Sequence, residues 1–339
     1  MIQIQNIAER YFSSDVPELV YTTDSNTDIV VQILDNDNNT VHISTLSPFN
    51  GYVKLYELGE LFTEYMRKCN LTLCNFTIDV VQGQNSISNT ITIIYCTDMP
   101  TEPVNDFLTK HFLTLTDVKE TQADITEYFH FIGYDTPTIT LLTDDDPPLY
   151  ALLPITNKVN GVTSFSFSLN DLALQADISI NKIKGCKVKA GEREFYLFKG
   201  IAHDTTVWEF RNAFNAIESF SMPTALTITT KDSHNTAKVN RKLVAYDFKK
   251  SQYFESETAP LTRKEFIWAS QILASHYIVD KKGRKIIITD AEAEIKVMPG
   301  EENKIKFKWQ YDFDKPAIDE ETMDIYNRIH SEQYDKQYT

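Results

Sequence analysis

VTSFSFSL, residues 162–169, alternates without a break. Val162, Ser164, Ser166 and Ser168 fall on one side, and Thr163, Phe165, Phe167 and Leu169 on the other. That two-residue period belongs to a strand with one buried face. The same texture surrounds it: EYFHFIGYDTPTITLLTDDDPPLYALLPI, punctuated by proline, comes before, and ISINKIK, CKVKAG and EREFYLFKG come after. Short strands spaced by roughly ten residues predict an immunoglobulin-like β-sandwich over residues 101–200.

Upstream, the β-branched runs TDIVVQILD and TVHISTL flank an Asp/Asn cluster, Asp35 to Asn38, which reads as a hairpin turn. LTLCNFTIDVVQG and NTITIIYCTD make a second such pair. Between the pairs, Leu58, Leu61, Phe62, Tyr65 and Met66 recur at spacings of three and four and predict one helix covering a sheet. The proline- and acid-rich TDMPTEPVND marks the edge of an N-terminal β-sandwich-like domain, residues 1–100. Beyond residue 200, ALTITTKD, KLVAYDFKK, SQYFESETAP, YIVD, KIIITD, EAEIKVM and KIKFKWQYDF read as successive strands, with KKGR and PGEEN as turns. One helix interrupts them, LTRKEFIWASQILAS, where Thr262 and Glu265 form a capping box and Phe266, Ala269 and Leu273 a seam. These make a C-terminal β-domain, 201–316. Residues 317–339 read as an amphipathic helical tail with Met323, Tyr326 and Ile329 on one face. That face would dock on a neighbouring subunit or lie frayed on the chain's own surface. The expected fold class is mainly β: tandem β-sandwich domains, a few short covering helices and a C-terminal helical tail.

A net charge of -15 over 339 residues argues against nucleic acid as a partner, which would need clustered Lys and Arg. No run of 18 apolar residues argues for a membrane span, and MIQIQNIAERYF lacks the basic start and apolar stretch of a signal peptide, so assembly inside a cell is expected. Cys69, Cys74, Cys96 and Cys186 lack paired metal spacing and read as small core hydrophobes.

Catalytic motifs are missing: no GxSxG, HExxH, phosphate-cradling GxxxxGK or GxGxxG occurs, and ten glycines leave few phosphate cradles. His203 with Asp204 could form an acid–base pair, and Asp144, Asp145 and Asp146 could hold a hard cation. An exposed loop and an acidic turn explain them more simply. No enzyme activity, cofactor or metal is expected. The 20 Phe and 17 Tyr would suit stacking on sugars, but core packing accounts for them first.

VWEFRNAFNAIESF, residues 207–220, sets Trp208, Arg211, Asn212 and Glu218 among the apolar Val207, Phe210, Phe214, Ile217 and Phe220, and no other segment offers a better candidate for chemistry. Its apolar residues fit a strand end followed by a packed turn, with Asn212 and Glu218 placed to bond backbone groups that the turn leaves free. Trp208, Asn212, Glu218 and Phe220 are thus expected to form a structural corner.

From TTVWEFRNAFNAIESF through KLVAYDFKKSQYFESETAPLTRKEFIWASQILASHYIV to GRKIIITDAEAEI, the chain resembles structural virion proteins of tail type from phages and prophages of gut Bacteroidales. The matching positions are Trp208, Asn212, Glu218, Phe220, Thr258, Ala259, Pro260, Leu261, Thr289 and Asp290. At Asn215 the family usually has Gly; Asn tolerates the left-handed backbone next best. NDFLTKHFLTLTDVKETQADITEYFHF is similar to a segment preceding the middle domain of such proteins, although its usual Trp is absent. The resemblance spans about residues 105–316. It implies a distal-tail or baseplate component located in the virion, assembled in the host cytoplasm, and partnered by itself in a homo-oligomeric ring and by other tail proteins. It carries over no catalytic residues. The alternative is a glycan-binding module for adhesion to the host surface.

Overall fold

In the computed structural model, the described residues are 2–5, 7–98, 101–143, 151–200, 205–239, 242–294 and 302–312. The sequence-derived readings at His203 and Asp204, at Asp144 to Asp146, over most of PGEEN, and at Met323, Tyr326 and Ile329 lie outside them.

The chain is mainly β, with several sheets. In the first region a five-stranded sheet runs Arg10–Phe12, Asn85–Ile94, Leu73–Gln82, Ile29–Leu34, Thr40–Leu46. A three-stranded sheet runs Gln3–Gln5, Leu19–Thr22, Tyr52–Leu55. Both sheets bury side chains in one core, with Val31, Ile33, Phe76 and Ile78 from the larger and Leu19 and Tyr21 from the smaller. Helix α1, Leu58–Lys68, closes this core through Leu58, Phe62 and Met66, as the spacing predicts, with Leu61 and Tyr65 at its margin. A Cβ on Gly59 would collide with the Ser13 carbonyl, so glycine lets the helix sit this close. The Asp35–Asn38 turn is confirmed. Asp35 accepts from the backbone N–H groups of Asp37 (2.9 Å) and Asn39 (2.8 Å), and Asn38 takes φ 61°. Burial raises the Asp35 carboxyl, but hydrogen bonds from Tyr65, Asn39 and Asp37 prevail and hold it at about 2.

In the second region the opening stretch is a strand, Val162–Phe167, with Thr163, Phe165 and Phe167 buried. It pairs with Glu127–Ile132 and Asn157–Val159. A five-stranded sheet, in the order Ala151–Leu152, Thr138–Thr143, Ile183–Ala190, Arg193–Lys199, Val118–Thr121, shares its core. Phe129 stacks on Phe165 and Phe167, each 5.3 Å away between centroids. Helix α2, Val104–Lys110, precedes this region. Its first turn overlaps the end of TDMPTEPVND, where the sequence reads as a domain edge. Helix α3, Leu169–Gln175, starts at Ser168 with a capping box.

The third region is one six-stranded sheet: Ile278–Asp280, Thr205–Arg211, Ile217–Val239, Lys242–Thr258, Ile305–Tyr311, Ile286–Ala293. Helix α4, Arg263–Ala274, packs on it through Phe266, Trp268, Ala269 and Ile272, and carries the expected Thr262/Glu265 box. Two expectations are corrected here. ALTITTKD is not a short strand but the middle of a 23-residue one, and KLVAYDFKK and SQYFESETAP are a single 17-residue strand. The two pair as a long antiparallel ribbon from Thr224↔Thr258 to Val239↔Lys242. Cys74, Cys96 and Cys186 are buried as expected, whereas Cys69, capping the end of α1, is exposed.

A fourth apolar cluster sits where the regions meet. Phe12, Ile94 and Cys96 come from the first, Leu108 and Leu113 from the connection, Phe214 and Ala216 from the third, and Ile132 and Val162 of the second border it. Phe107 packs edge-on to Phe12 at 5.5 Å and lies tilted against Phe214 at 5.2 Å.

Candidate functional site

The turn inside VWEFRNAFNAIESF forms that meeting point. Strand Thr205–Arg211 pairs with Ile217–Val239, placing Trp208 opposite Phe220 and Arg211 opposite Ile217. The intervening residues turn back at Asn215, whose φ of 57° is the left-handed conformation expected where the resembled proteins have Gly. Asn212 Oδ1 accepts from the N–H groups of Phe214 (2.9 Å) and Ala216 (3.2 Å), fixing the turn as an Asx motif. Its Nδ2 donates to the Leu113 carbonyl (2.8 Å) and to Glu218 Oε2 (2.9 Å).

Glu218 departs from expectation. It accepts from side chains rather than from the backbone: Asn212, Trp268 Nε1 (2.6 Å) and Thr114 Oγ1 (3.1 Å). Burial raises its carboxyl above the ordinary range, against the pull of Lys119 and these three donors. The Lys119 ammonium lies 4.9 Å from the Trp268 ring and donates to Glu127 Oε2 (2.7 Å), to Ser219 Oγ (2.8 Å) and to the Ser219 carbonyl. Both members of the Lys119–Glu127 pair are 3% exposed. His130 completes the group: Nε2 donates to the Ile217 carbonyl (3.0 Å), which leaves Nδ1 to accept from Ser164 Oγ (2.8 Å). Burial drives its pKa down to about 4, so the ring is neutral near pH 7.

Further hydrogen bonds tie the turn to the first region and to α4. Asn215 Nδ2 donates to the carbonyls of Leu71 (3.0 Å) and Met66 (3.3 Å), and Thr97 N donates to Ala213 O (3.0 Å). Ala213 N donates to Gln271 Oε1 (2.8 Å). Arg211 Nη1 donates to Asn215 O (2.6 Å).

Chemically this is a closed hub. Its cavity, bordered by Lys119, Glu127, His130, Asn212 and Glu218, has a volume of about 10 Å³. That is the size of one water molecule and admits no organic substrate. Sequence reasoning finds Trp208, Asn212, Glu218 and Phe220, and the structure brings all four together, Trp208 and Phe220 on the apolar side (6.0 Å). It misses Lys119, Glu127, His130 and Trp268, which lie 50 or more positions from their partners at Ile217 to Ser219. The one available signal for Asn215 is that it stands where the resembled proteins usually have Gly.

A second, open depression of about 580 Å³ lies between α1 and the end of α4, bordered by Glu57, Glu60, Glu64, Arg67, Cys96 and His276. Burial lowers the His276 pKa first, and Arg211 and Arg67 add to it. Among the described residues no group of three or more His, Cys, Asp or Glu is placed to hold a metal ion, and no helix is long and apolar enough to cross a membrane.

No family model matches the chain, and no curated protein matches it. Among solved structures, Salmonella alpha-2-macroglobulin reacted with methylamine is similar over 87% of this chain and 24% of that one, at 9% identity and a TM-score of 0.23. Escherichia coli alpha-2-macroglobulin activated by porcine elastase is similar over 86% of this chain and 32% of that one, at 9% identity and a TM-score of 0.22. The chain therefore spans a third or less of these proteins, and a likeness this slight carries no functional reading.

Proposed function

We propose that the chain is a non-enzymatic structural subunit of a virion, of distal-tail or baseplate type, working through contacts with its own copies and with other tail proteins in a symmetric assembly. In this reading residues 1–100 are a β-sandwich-like domain, 101–200 an immunoglobulin-like β-sandwich and 201–316 a β-domain with one capped helix, assembled in the host cytoplasm. One observation carries it. Buried hydrogen bonds converge on one turn: His130 and Lys119 of the second region bond the carbonyls of Ile217 and Ser219, Asn212 bonds that of Leu113, and Asn215 bonds those of Leu71 and Met66 in the first region, so the three regions are joined there. A rigid body of joined units suits repeated subunit contacts. The resemblance of residues 105–316 to virion proteins supports the same reading.

Mass photometry and negative-stain microscopy of the purified protein test it. Closed, uniform particles larger than one chain, or incorporation into tail particles, are expected. A monomer at every concentration that also fails to join tail particles contradicts it.

Glycan binding is a second reading with an observation of its own. Phe49, Tyr52 and Tyr56 are exposed within eight positions, and Phe49 and Tyr52 are antiparallel bridge partners, which places both rings on one face. Absence of sugar binding on a glycan array at millimolar concentration removes it.

A further inference from the structure

The ribbon formed by Ile217–Val239 and Lys242–Thr258 outgrows its sheet. Thr205–Arg211 pairs with the first strand only up to Pro223, and Ile305–Tyr311 pairs with the second only from Phe254 to Glu257. From Thr229↔Tyr253 to Val239↔Lys242 the two strands pair with each other alone, and among the described residues no third strand bonds to either edge. Eleven residues at about 3.3 Å each give a reach of roughly 36 Å. Lys231, Asn235, Thr236, Ala237 and Lys242 are exposed. Asn235, Thr236 and Ala237 follow one another, so at these positions both faces of the ribbon meet solvent.

A two-stranded ribbon with both faces in water is marginally stable at best. The ribbon also differs from the rest of the chain in the charge of its sequence. Its charge is opposite to the rest of the chain. The paired residues 229–239 and 242–253 hold Lys231, Lys238, Lys242, Lys249 and Lys250 against Asp232 and Asp247, a net charge of +3 in a chain of -15. The remainder therefore stands at -18.

We propose that this ribbon is the assembly arm: it docks on the acidic body of a second copy of the same chain. The inference rests on the structural-subunit reading and specifies how the subunits hold one another. Charge decides the geometry. Two arms laid against each other across a dyad bring +3 against +3, whereas an arm on a neighbour's body brings +3 against -18. The contact is therefore heterologous, head to tail, and propagates into a closed ring or a helical filament.

The test compares three proteins by sedimentation velocity at a series of protein and salt concentrations. They are the full chain, a shortened chain with residues 230–252 replaced by Asn-Gly, and the full-length quadruple variant Lys231→Glu, Lys238→Glu, Lys249→Glu, Lys250→Glu. Asn-Gly closes a hairpin of this pairing in two residues. The wild type is expected to associate, and to do so more weakly as salt rises. Both variants should associate at least tenfold more weakly while keeping the wild-type melting curve. If the shortened chain or the charge-reversed chain assembles like the wild type, the arm inference falls and the subunit reading stands. A wild type that stays monomeric throughout overturns the arm inference, and one that also fails to join tail particles overturns the subunit reading as well. Arm-dependent binding of duplex DNA by the wild type overturns self-docking in favour of a nucleic-acid contact.

Discussion

The strand Ile217–Val239 begins inside the hub and ends outside it. Phe220 is fully buried and Ala237 is exposed, and the strand is paired antiparallel at both ends, with Thr205–Arg211 at the first and Lys242–Thr258 at the second. At the buried end, neighbours from distant parts of the chain satisfy the polar groups: His130 bonds the carbonyl of Ile217, Lys119 that of Ser219, and Trp268 the carboxylate of Glu218. At the far end, among the described residues, the ribbon is paired with its own second strand alone, and such cross-strand pairs contribute about 0.2–1 kcal/mol each. One backbone conformation thus serves two purposes, and the packing around it, not the strand itself, separates them. The hub joins the three regions; the ribbon is the proposed assembly arm.

Truncation at the two ends should differ most. Trp208→Ala removes a ring packed on Phe220, Phe307 and Trp309 and should cost about 3–5 kcal/mol in urea unfolding. Glu218→Ala, which strands the Trp268 N–H and the Asn212 amide in a closed site, should cost about 3 kcal/mol. Thr236→Ala in the ribbon should stay within about 0.5 kcal/mol. Equal costs at both ends would break the contrast.

The pH response should belong to the hub as well. His130 has a folded-state pKa of about 4, below the ordinary value of 6.5, so the unfolded chain takes up its proton first as pH falls. The stability it provides is complete above pH 6.5 and is lost between there and about pH 4, amounting to about 3 kcal/mol. Glu218, with a raised pKa, works in the opposite sense, gaining relative stability as pH falls. The difference between wild type and His130→Asn across pH 4–7 isolates the histidine; a flat difference contradicts its burial as neutral imidazole.

A smaller effect is expected at the turn. Asn215→Ala should cost about 1–2 kcal/mol for the left-handed backbone alone, in addition to the bonds to Leu71 and Met66. Asn215→Gly should be the milder change. Cys96, buried in the apolar junction, reports its opening: its labelling by a thiol reagent should speed up about tenfold in Asn215→Ala, with exposed Cys69 as the internal reference. A change of about 1 kcal/mol is expected from Thr262→Ala, which removes the cap of α4, read from the same urea midpoints.

What the sequence disclosed tracks the range of the interactions. VTSFSFSL, the Asp35–Asn38 turn, the α1 stripe and the Thr262/Glu265 box each depend on residues within a few positions, and each was legible. Asn212 and Glu218 were recognisable as polar residues in an apolar turn. The partners of Glu218 were not, because Thr114 lies 104 positions away and Trp268 50. The ribbon was hidden for a different reason. DSHNTAKVNRK has the composition of a loop, since a strand exposed on both faces has no apolar alternation to betray it. The segments ALTITTKD, KLVAYDFKK and SQYFESETAP therefore looked separate. The missed reading and the proposed role share one cause, the run of exposed positions at Asn235, Thr236 and Ala237.

Hydrogen exchange read at single amides, in dilute monomer and in the assembled state, tests the central contrast most directly. Amides of Phe214 and Ala216 should be protected in both states to near the global stability. Those of Lys231 to Val239 should exchange fast in the monomer and become protected on assembly. Ribbon amides already protected in the monomer, or unchanged on assembly, would contradict the account.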